Sequence, residues 1–308
     1  MMKSLHVIHA NGSPALVERD VPRPKLARGE LLVRVHAAGI TPTELIWYPT
    51  SHNKDGSERI GAVPSHEFSG EIAELGAEVE GLSVGQQIYG LNDWFVDGAL
   101  AEYCIARPEW IAPKPHRAND GEAASIPIGA LTAWQGLFER ANVTTADRVL
   151  VHGGAGAVGV FAIQLARLRG AHVIATASSD NLGFVRELGA AEAIDYKAER
   201  FEDKARDIDV VFDGVGGETF ERSWKVLKPS GRLVTIAADE TTTDERAKRA
   251  FFIVEPKRDQ LLEISKLIDS GDLRTVVDRV LPWSMAADAY TGKVERSRRG
   301  KLVVQVKG

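Results

Sequence analysis

A single cysteine, Cys104, in 308 residues leaves the chain no partner for an internal disulfide, which excludes a stapled, oxidised scaffold. No apolar run approaches the roughly 20 residues of a membrane helix. The start, MMKSLHVIHANG, has no apolar core behind its charge, so no secretory signal is expected. Long basic stripes are missing too, and the net charge is -5, which argues against nucleic acid as a partner. The one basic cluster, Arg296, Arg298, Arg299 and Lys301, reads as a solvated helix end. Neither a Walker A pattern nor a G-x-S-x-G elbow occurs. These absences leave the expectation of a soluble, cytoplasmic protein.

With 44% apolar residues the chain can bury cores, and its length suits two domains. Residues 1 to about 120 read as β-rich: LLVRVHAAG, EFSGEIAELG, GLSVGQQIYGL and GALAEYCIA are short runs bounded by turn residues. From about 123 helices and strands alternate. RVLVHG, HVIATAS, EAIDY, DVVFDGVGG, GRLVTIAA and FFIVE are expected strands, and AVGVFAIQLARLRG and NLGFVRELGA expected helices. That alternation predicts an α/β fold with a doubly wound parallel sheet. A tail follows, with a helix in QLLEISKLIDSG and strands in TVVDRVLPW and KLVVQVKG.

The segment HGGAGAVG holds Gly154-x-Gly156-x-x-Gly159 between an apolar strand and a helix whose Val158, Phe161, Ala162 and Leu165 share a face. In that context the spacing points to a dinucleotide. Gly154 serves the tight turn, Gly156 lets backbone approach a pyrophosphate, and Gly159 lets helix pack on strand. Gly154, Gly156, Ala157, Val158 and Gly159 are thus candidate phosphate-binding residues, at a helix N-terminus. The second strand ends ATASSDN, where an NAD site usually carries an acid. Hydroxyls stand from Thr176 to Ser179, and Ser178 suits a 2′-phosphate, so NADP(H) is favoured. Asp180 lies just beyond and is expected to face solvent or cap the next helix. Val215, Gly216, Ala237, Phe252 and Ile253 follow other strands, where carboxyl ends face a cofactor.

Residues 63–71, VPSHEFSGE, raise the question of zinc. Together with AAGITPTEL, VGQQIYG, GALAEY, LTAWQGL, VLVHGGAGAVG, RELGAAEAIDY, VFDGVGG and RGKLVV, they make the chain resemble the medium-chain dehydrogenase/reductase superfamily, in its zinc-independent, quinone oxidoreductase-like branch. The resemblance implies a discontinuous GroES-like domain, residues 1–122 and 256–308, around a Rossmann domain, residues 123–255. Zinc alcohol dehydrogenases of the superfamily place a first ligand where this chain has Thr41 and a third near Ile128 or Gly129; only His66 remains, and one cysteine cannot build their structural zinc lobe. No metal is expected. His66 and Glu67 then read as framework, with a catalytic role for His66 as the alternative.

The same resemblance implies NADPH-dependent reduction of a quinone or α,β-unsaturated carbonyl. Thr41 stands beside the nicotinamide position and Tyr48 in a substrate pocket, as candidate catalytic donors; a backbone-satisfied hydroxyl and a packing aromatic are their structural alternatives. Trp47, Trp94 and Phe95 are candidates for a flat apolar pocket. Thr132 falls near the nicotinamide end, Tyr196 matches a tyrosine that contacts the 2′-phosphate, and Lys301 a position near the cofactor's phosphates. Relatives often follow the serine with a cation, where this chain has Ser179-Asp180. A homodimer through a sheet edge such as FFIVE is compatible with the resemblance. A dinucleotide-binding sensor without turnover and a zinc alcohol dehydrogenase are the competing functions.

Overall fold

The computed structural model describes residues 1–10, 13–237 and 243–306. It divides into two compact units, one of residues 1–128, 255–297 and 301 onward, the other of residues 129–254 with 298–300. The boundaries thus fall at 128/129 and 254/255, against 122/123 and 255/256 read from the sequence, and three residues near the end belong with the second unit.

In the first unit β1 (Met2–Ala10) pairs antiparallel with β2 (Ser13–Val21). The main sheet begins with β3 (Leu31–Ile40), β4 (Glu67–Leu75), β5 (Gln87–Leu91), β6 (Tyr103–Ala106) and β7 (Ile111–Pro113). The second unit holds β8 (Arg148–His152), β9 (His172–Ala177), β10 (Glu192–Asp195), β11 (Ile208–Asp213) and β12 (Leu227–Thr235). The first unit resumes with β13 (Val277–Pro282) and β14 (Lys301–Gln305). Its seven strands run β13-β14-β3-β4-β5-β7, with β6 on β3.

β3 sits centrally and is buried at Leu31, Leu32, Val33, Val35, Ala37, Ala38 and Ile40. That explains its near-continuous apolar run, as for strands covered on both faces. Phe68, Ile72, Ile88, Leu100 and Ile111 complete this core, together with Leu302 and Val304 of β14.

The second unit's sheet is parallel, in the order β10-β9-β8-β11-β12. Strand order reverses beside β8, so the loop after β8 lies at the switch point where open α/β sheets bind ligands. FFIVE is not a strand. Only Phe251 makes a parallel bridge, to Thr235, and Phe252 turns its ring into the core, leaving it 5% exposed with the Arg140 guanidinium over it. An apolar run of four residues fits a core-packed loop as well as a strand. At the described edge stands β12 instead. No helix among the described residues is long and apolar enough to cross a membrane.

Candidate active site

The first unit's polar centre begins where β3 ends. Pro42 opens a 3-10 turn, Pro42–Ile46, and cannot continue the ladder; Thr41 takes the N-cap position without capping anything. Its Oγ1 instead accepts a hydrogen bond from Lys301 Nζ at 2.8 Å. An ammonium only donates. The Thr41 oxygen is therefore the acceptor, and its own hydrogen is left to donate elsewhere. Thr41 is partly exposed, so that donor can meet a ligand.

Lys301, the first residue of β14, is 4% exposed and ion-paired with Glu67. The second Glu67 oxygen accepts the Ile128 N–H at 2.9 Å. Burial raises the Glu67 carboxyl above its ordinary value, against the pull of Lys301 and of the Ile128 N–H. Room for this pair comes from Gly39: a Cβ there would lie 2.4 Å from Glu67 Oε1. Lys301 is accordingly neither a surface lysine nor a free cation for phosphates, as the sequence suggested; its charge is committed to a buried carboxylate.

Beneath Thr41, Glu44 points inward and is fully buried. It accepts four hydrogen bonds: Ser65 N at 3.0 Å, His66 N at 3.1 Å, His66 Nδ1 at 2.9 Å and the Tyr290 hydroxyl at 2.8 Å. Burial raises its carboxyl, but His66 and Tyr290 outweigh burial and hold it below the usual range. Burial and the Glu44 charge push the Tyr290 phenol well up. His66 Nε2 faces the Val96 carbonyl at 3.1 Å. Both ring nitrogens are thus already engaged by protein oxygens. The described residues contain no group of three His, Cys, Asp or Glu side chains that could hold a metal ion. With Thr41 engaged by Lys301, the donor set does not fit a catalytic zinc.

The aromatic candidates partly converge. Trp47 meets Trp94 edge-on at 5.2 Å, and Trp94 packs on the His66 ring at 5.1 Å. Tyr48, 39% exposed, stacks on His52 at 4.3 Å. Phe95 lies under Lys54 Nζ.

In the second unit, the helix Gly159–Leu168 has no side-chain cap. Gly154 N donates to the Thr176 carbonyl at 3.0 Å and Gly156 N to Gly153 O at 3.0 Å. Among the described residues, the N–H groups of Ala157, Val158 and Gly159 have no protein acceptor. Three such donors at a helix N-terminus suit a pyrophosphate. A Cβ at Gly156 would meet only the Gly153 oxygen, at 3.3 Å, whereas one at Gly159 would lie 2.2 Å from that oxygen. The first glycine leaves an open approach and the second allows close packing.

Val215 and Gly216 follow β11 on a turn held by Asp213, whose carboxylate accepts both their N–H groups at 3.0 Å and the Thr235 hydroxyl at 3.0 Å. Val215 and Ile253 are exposed, 53% and 60%, and Ala237 is exposed after β12. Ser178 and Tyr196 end neighbouring strands: Tyr196 N donates to the Ala177 carbonyl, and its ring is exposed. Asp180 is exposed and caps nothing; Asn181 holds the N-cap position of the helix Leu182–Glu187. Thr132 is buried on the helix Pro127–Trp134, and the Phe252 ring is core, so only its backbone is left to face a cofactor.

Sequence reasoning missed Glu44, Tyr290, Asp213 and His152. His152, at the end of β8, joins Thr176 Oγ1 at 3.1 Å to Ser223 Oγ at 3.0 Å under the glycine loop. Burial lowers it from 6.5 to about 4. The unfolded chain takes up a proton there as pH falls through 6.5, the folded chain only near 4. Stability is thus complete above 6.5 and declines between those values, by about 3 kcal/mol from this residue. Urea unfolding from pH 7.5 to 4.5 should show that loss, and His152→Gln should flatten it; an unchanged slope in the variant would refute the assignment.

The alcohol dehydrogenase GroES-like domain family matches residues 27–116, and the zinc-binding dehydrogenase family matches residues 188–304. A probable zinc-binding oxidoreductase of Arthroderma benhamiae is 31% identical, over 94% of this chain and 92% of its own. An NADPH-dependent alkenal/one oxidoreductase of Arabidopsis thaliana is 32% identical, over 94% of this chain and 75% of its own. The quinone oxidoreductase from Coxiella burnetii superposes with a TM-score of 0.87 over 99% of both chains, at 31% identity. With a GroES-like β-rich unit, a parallel Rossmann sheet and relatives of this coverage, the chain belongs to the medium-chain dehydrogenase/reductase superfamily and is an oxidoreductase whose relatives include quinone and alkenal reductases.

Proposed function

We propose that the protein reduces a quinone or an α,β-unsaturated carbonyl with NADPH and without a metal. The observation that carries this reading is the Thr41 hydroxyl, which accepts from Lys301 and so has its own hydrogen free to give. Bound NADPH would supply the hydride. The Ala157–Gly159 loop and the Val215–Gly216 turn would hold the dinucleotide, with Ser178 and Tyr196 at its adenosine ribose. A quinone or enone is already electrophilic, so the protein needs to bind it, orient it and meet the negative charge growing on its oxygen. Thr41 meets that charge as a hydrogen-bond donor. Lys301 fixes the direction of the Thr41 hydroxyl, and Glu67 fixes Lys301. Tyr48 is a second donor, at the start of the short helix Tyr48–Ser51 that follows the Pro42–Ile46 turn, exposed and stacked on His52. His66 belongs to the framework that shapes this turn.

The test is oxidation of NADPH, with NADH in parallel, by ortho-quinones and small enones in the presence of a chelator. Turnover that favours NADPH and survives chelation is expected. Cofactor binding with no turnover of any acceptor would replace this reading with a sensor. Activity lost on chelation would restore the zinc alternative. Thr41→Val should lower kcat by about 10- to 100-fold with little change in dinucleotide affinity, since one donor to a developing anion is removed. Unchanged kcat would remove Thr41 from the chemistry.

A further inference from the structure

The parallel sheet carries a row of buried polar side chains near the carboxyl ends of four neighbouring strands: Thr176 on β9, His152 on β8, Asp213 on β11 and Thr235 on β12. Three loops that leave this edge are tied to the row. Gly154 N donates to the Thr176 carbonyl at 3.0 Å and Gly153 N to Thr176 Oγ1 at 3.4 Å. Val215 N and Gly216 N donate to Asp213, and Ala237 N to Thr235 Oγ1 at 3.1 Å. Between the glycine loop and the turn after β11 stands His152, 2% exposed, with its ring edge-on to Phe201 at 4.6 Å.

The direction of each hydrogen bond around His152 is fixed by its neighbours. Ser223 Oγ gives its one hydrogen to the Thr219 carbonyl at 2.7 Å, so toward His152 it can only accept, and Nε2 carries a hydrogen. Burial keeps the imidazole neutral at ordinary pH, so Nδ1 has a lone pair and accepts from the Thr176 hydroxyl. The Thr176 oxygen in turn accepts from Gly153 N. The bonds run one way, from Gly153 N–H through Thr176, His152 and Ser223 to the Thr219 carbonyl. Thr219 and Ser223 belong to the helix Gly217–Ser223, which starts directly after the Val215–Gly216 turn. One end of the chain therefore lies in the glycine loop and the other on the helix that the turn leads into. We propose that His152 is a positioning residue of the dinucleotide site: from beneath, it fixes the spacing between the glycine loop and the Val215–Gly216 turn. Thr176 and Ser223 sit on opposite nitrogens of the ring, so the imidazole couples them. This inference rests on the dinucleotide reading above.

A double-mutant cycle tests it. NADPH and NADH are titrated calorimetrically into the wild-type protein, Thr176→Val, Ser223→Ala and the double variant, with urea unfolding of each, and affinities are compared for whichever dinucleotide the wild type binds more tightly. If the chain holds the two loops as one unit, cutting either end releases the spacing and cutting both adds little. Each single substitution should weaken binding about 5- to 10-fold, and the double variant about 10-fold, not the product of about 25- to 100-fold. In a His152→Phe background, where the ring fills the space without its nitrogens, either substitution should change affinity by less than about twofold. The cycle in the parent background decides the matter where His152→Phe does not fold. Losses that multiply in the double variant would make Thr176 and Ser223 independent supports and overturn the proposal. Coupling present in unfolding but absent from dinucleotide affinity would make the chain a stability device alone and overturn it too. A wild-type protein that binds neither dinucleotide would overturn the dinucleotide reading itself.

Discussion

Lys301→Met is expected to cost about 3–5 kcal/mol of stability, because it removes one member of a buried ion pair and leaves the other. Glu67 lies in the same buried pocket, with only the Ile128 N–H remaining to it. Burial already raises its carboxyl, and without the pull of Lys301 that shift grows. Lys301→Met with Glu67→Gln removes the stranded charge and should recover most of the stability. It should not recover turnover, because Thr41 still lacks the donor that directs its hydroxyl. Urea unfolding and NADPH turnover, measured on both variants, separate the two roles. A single variant as stable as the parent would mean the pair contributes nothing, and full turnover in the double variant would mean Thr41 needs no orientation.

The second large effect is at Gly159. A Cβ there would lie 2.2 Å from the Gly153 oxygen and 2.8 Å from the Gly154 Cα, and neither is the end of a flexible side chain that can swing away. Gly159→Ala should therefore displace the loop, costing about 1–3 kcal/mol of stability and about 100-fold or more in dinucleotide affinity. Gly156→Ala meets only the Gly153 oxygen at 3.3 Å, so it should fold normally and lose affinity alone. Thermal unfolding paired with dinucleotide titration distinguishes the variants. Undiminished binding in both would move the dinucleotide away from this loop.

What the sequence made legible was local. The glycine loop could be read because strand, glycines and helix are contiguous, and each glycine has a geometric reason within about ten residues. The central strand could be read because its apolar run reflects burial on both faces. Pairs joined only by the fold could not. Lys301 meets Thr41 across 260 residues, and Tyr290 meets Glu44 across 246, with no periodic signal at either end. Lys301 looked like part of a solvated cluster because adjacent charges in sequence give no hint that the fold sends them to different partners. FFIVE misled for a different reason: β-branched and aromatic residues describe burial, and burial alone does not make a strand.

The place of β14 has a consequence for the order of folding. It lies inside the first unit's sheet, between β13 and β3, and carries Lys301 at its first position. On the ribosome, residues 129–254 can complete the parallel sheet of the second unit well before residues 301–305 exist. Until those residues emerge, β3 presents an unpaired flank over residues 37–40 and Glu67 lacks its counter-charge. The nascent first unit is then a template open to strand pairing with other chains, a hazard that ends only with the last strand.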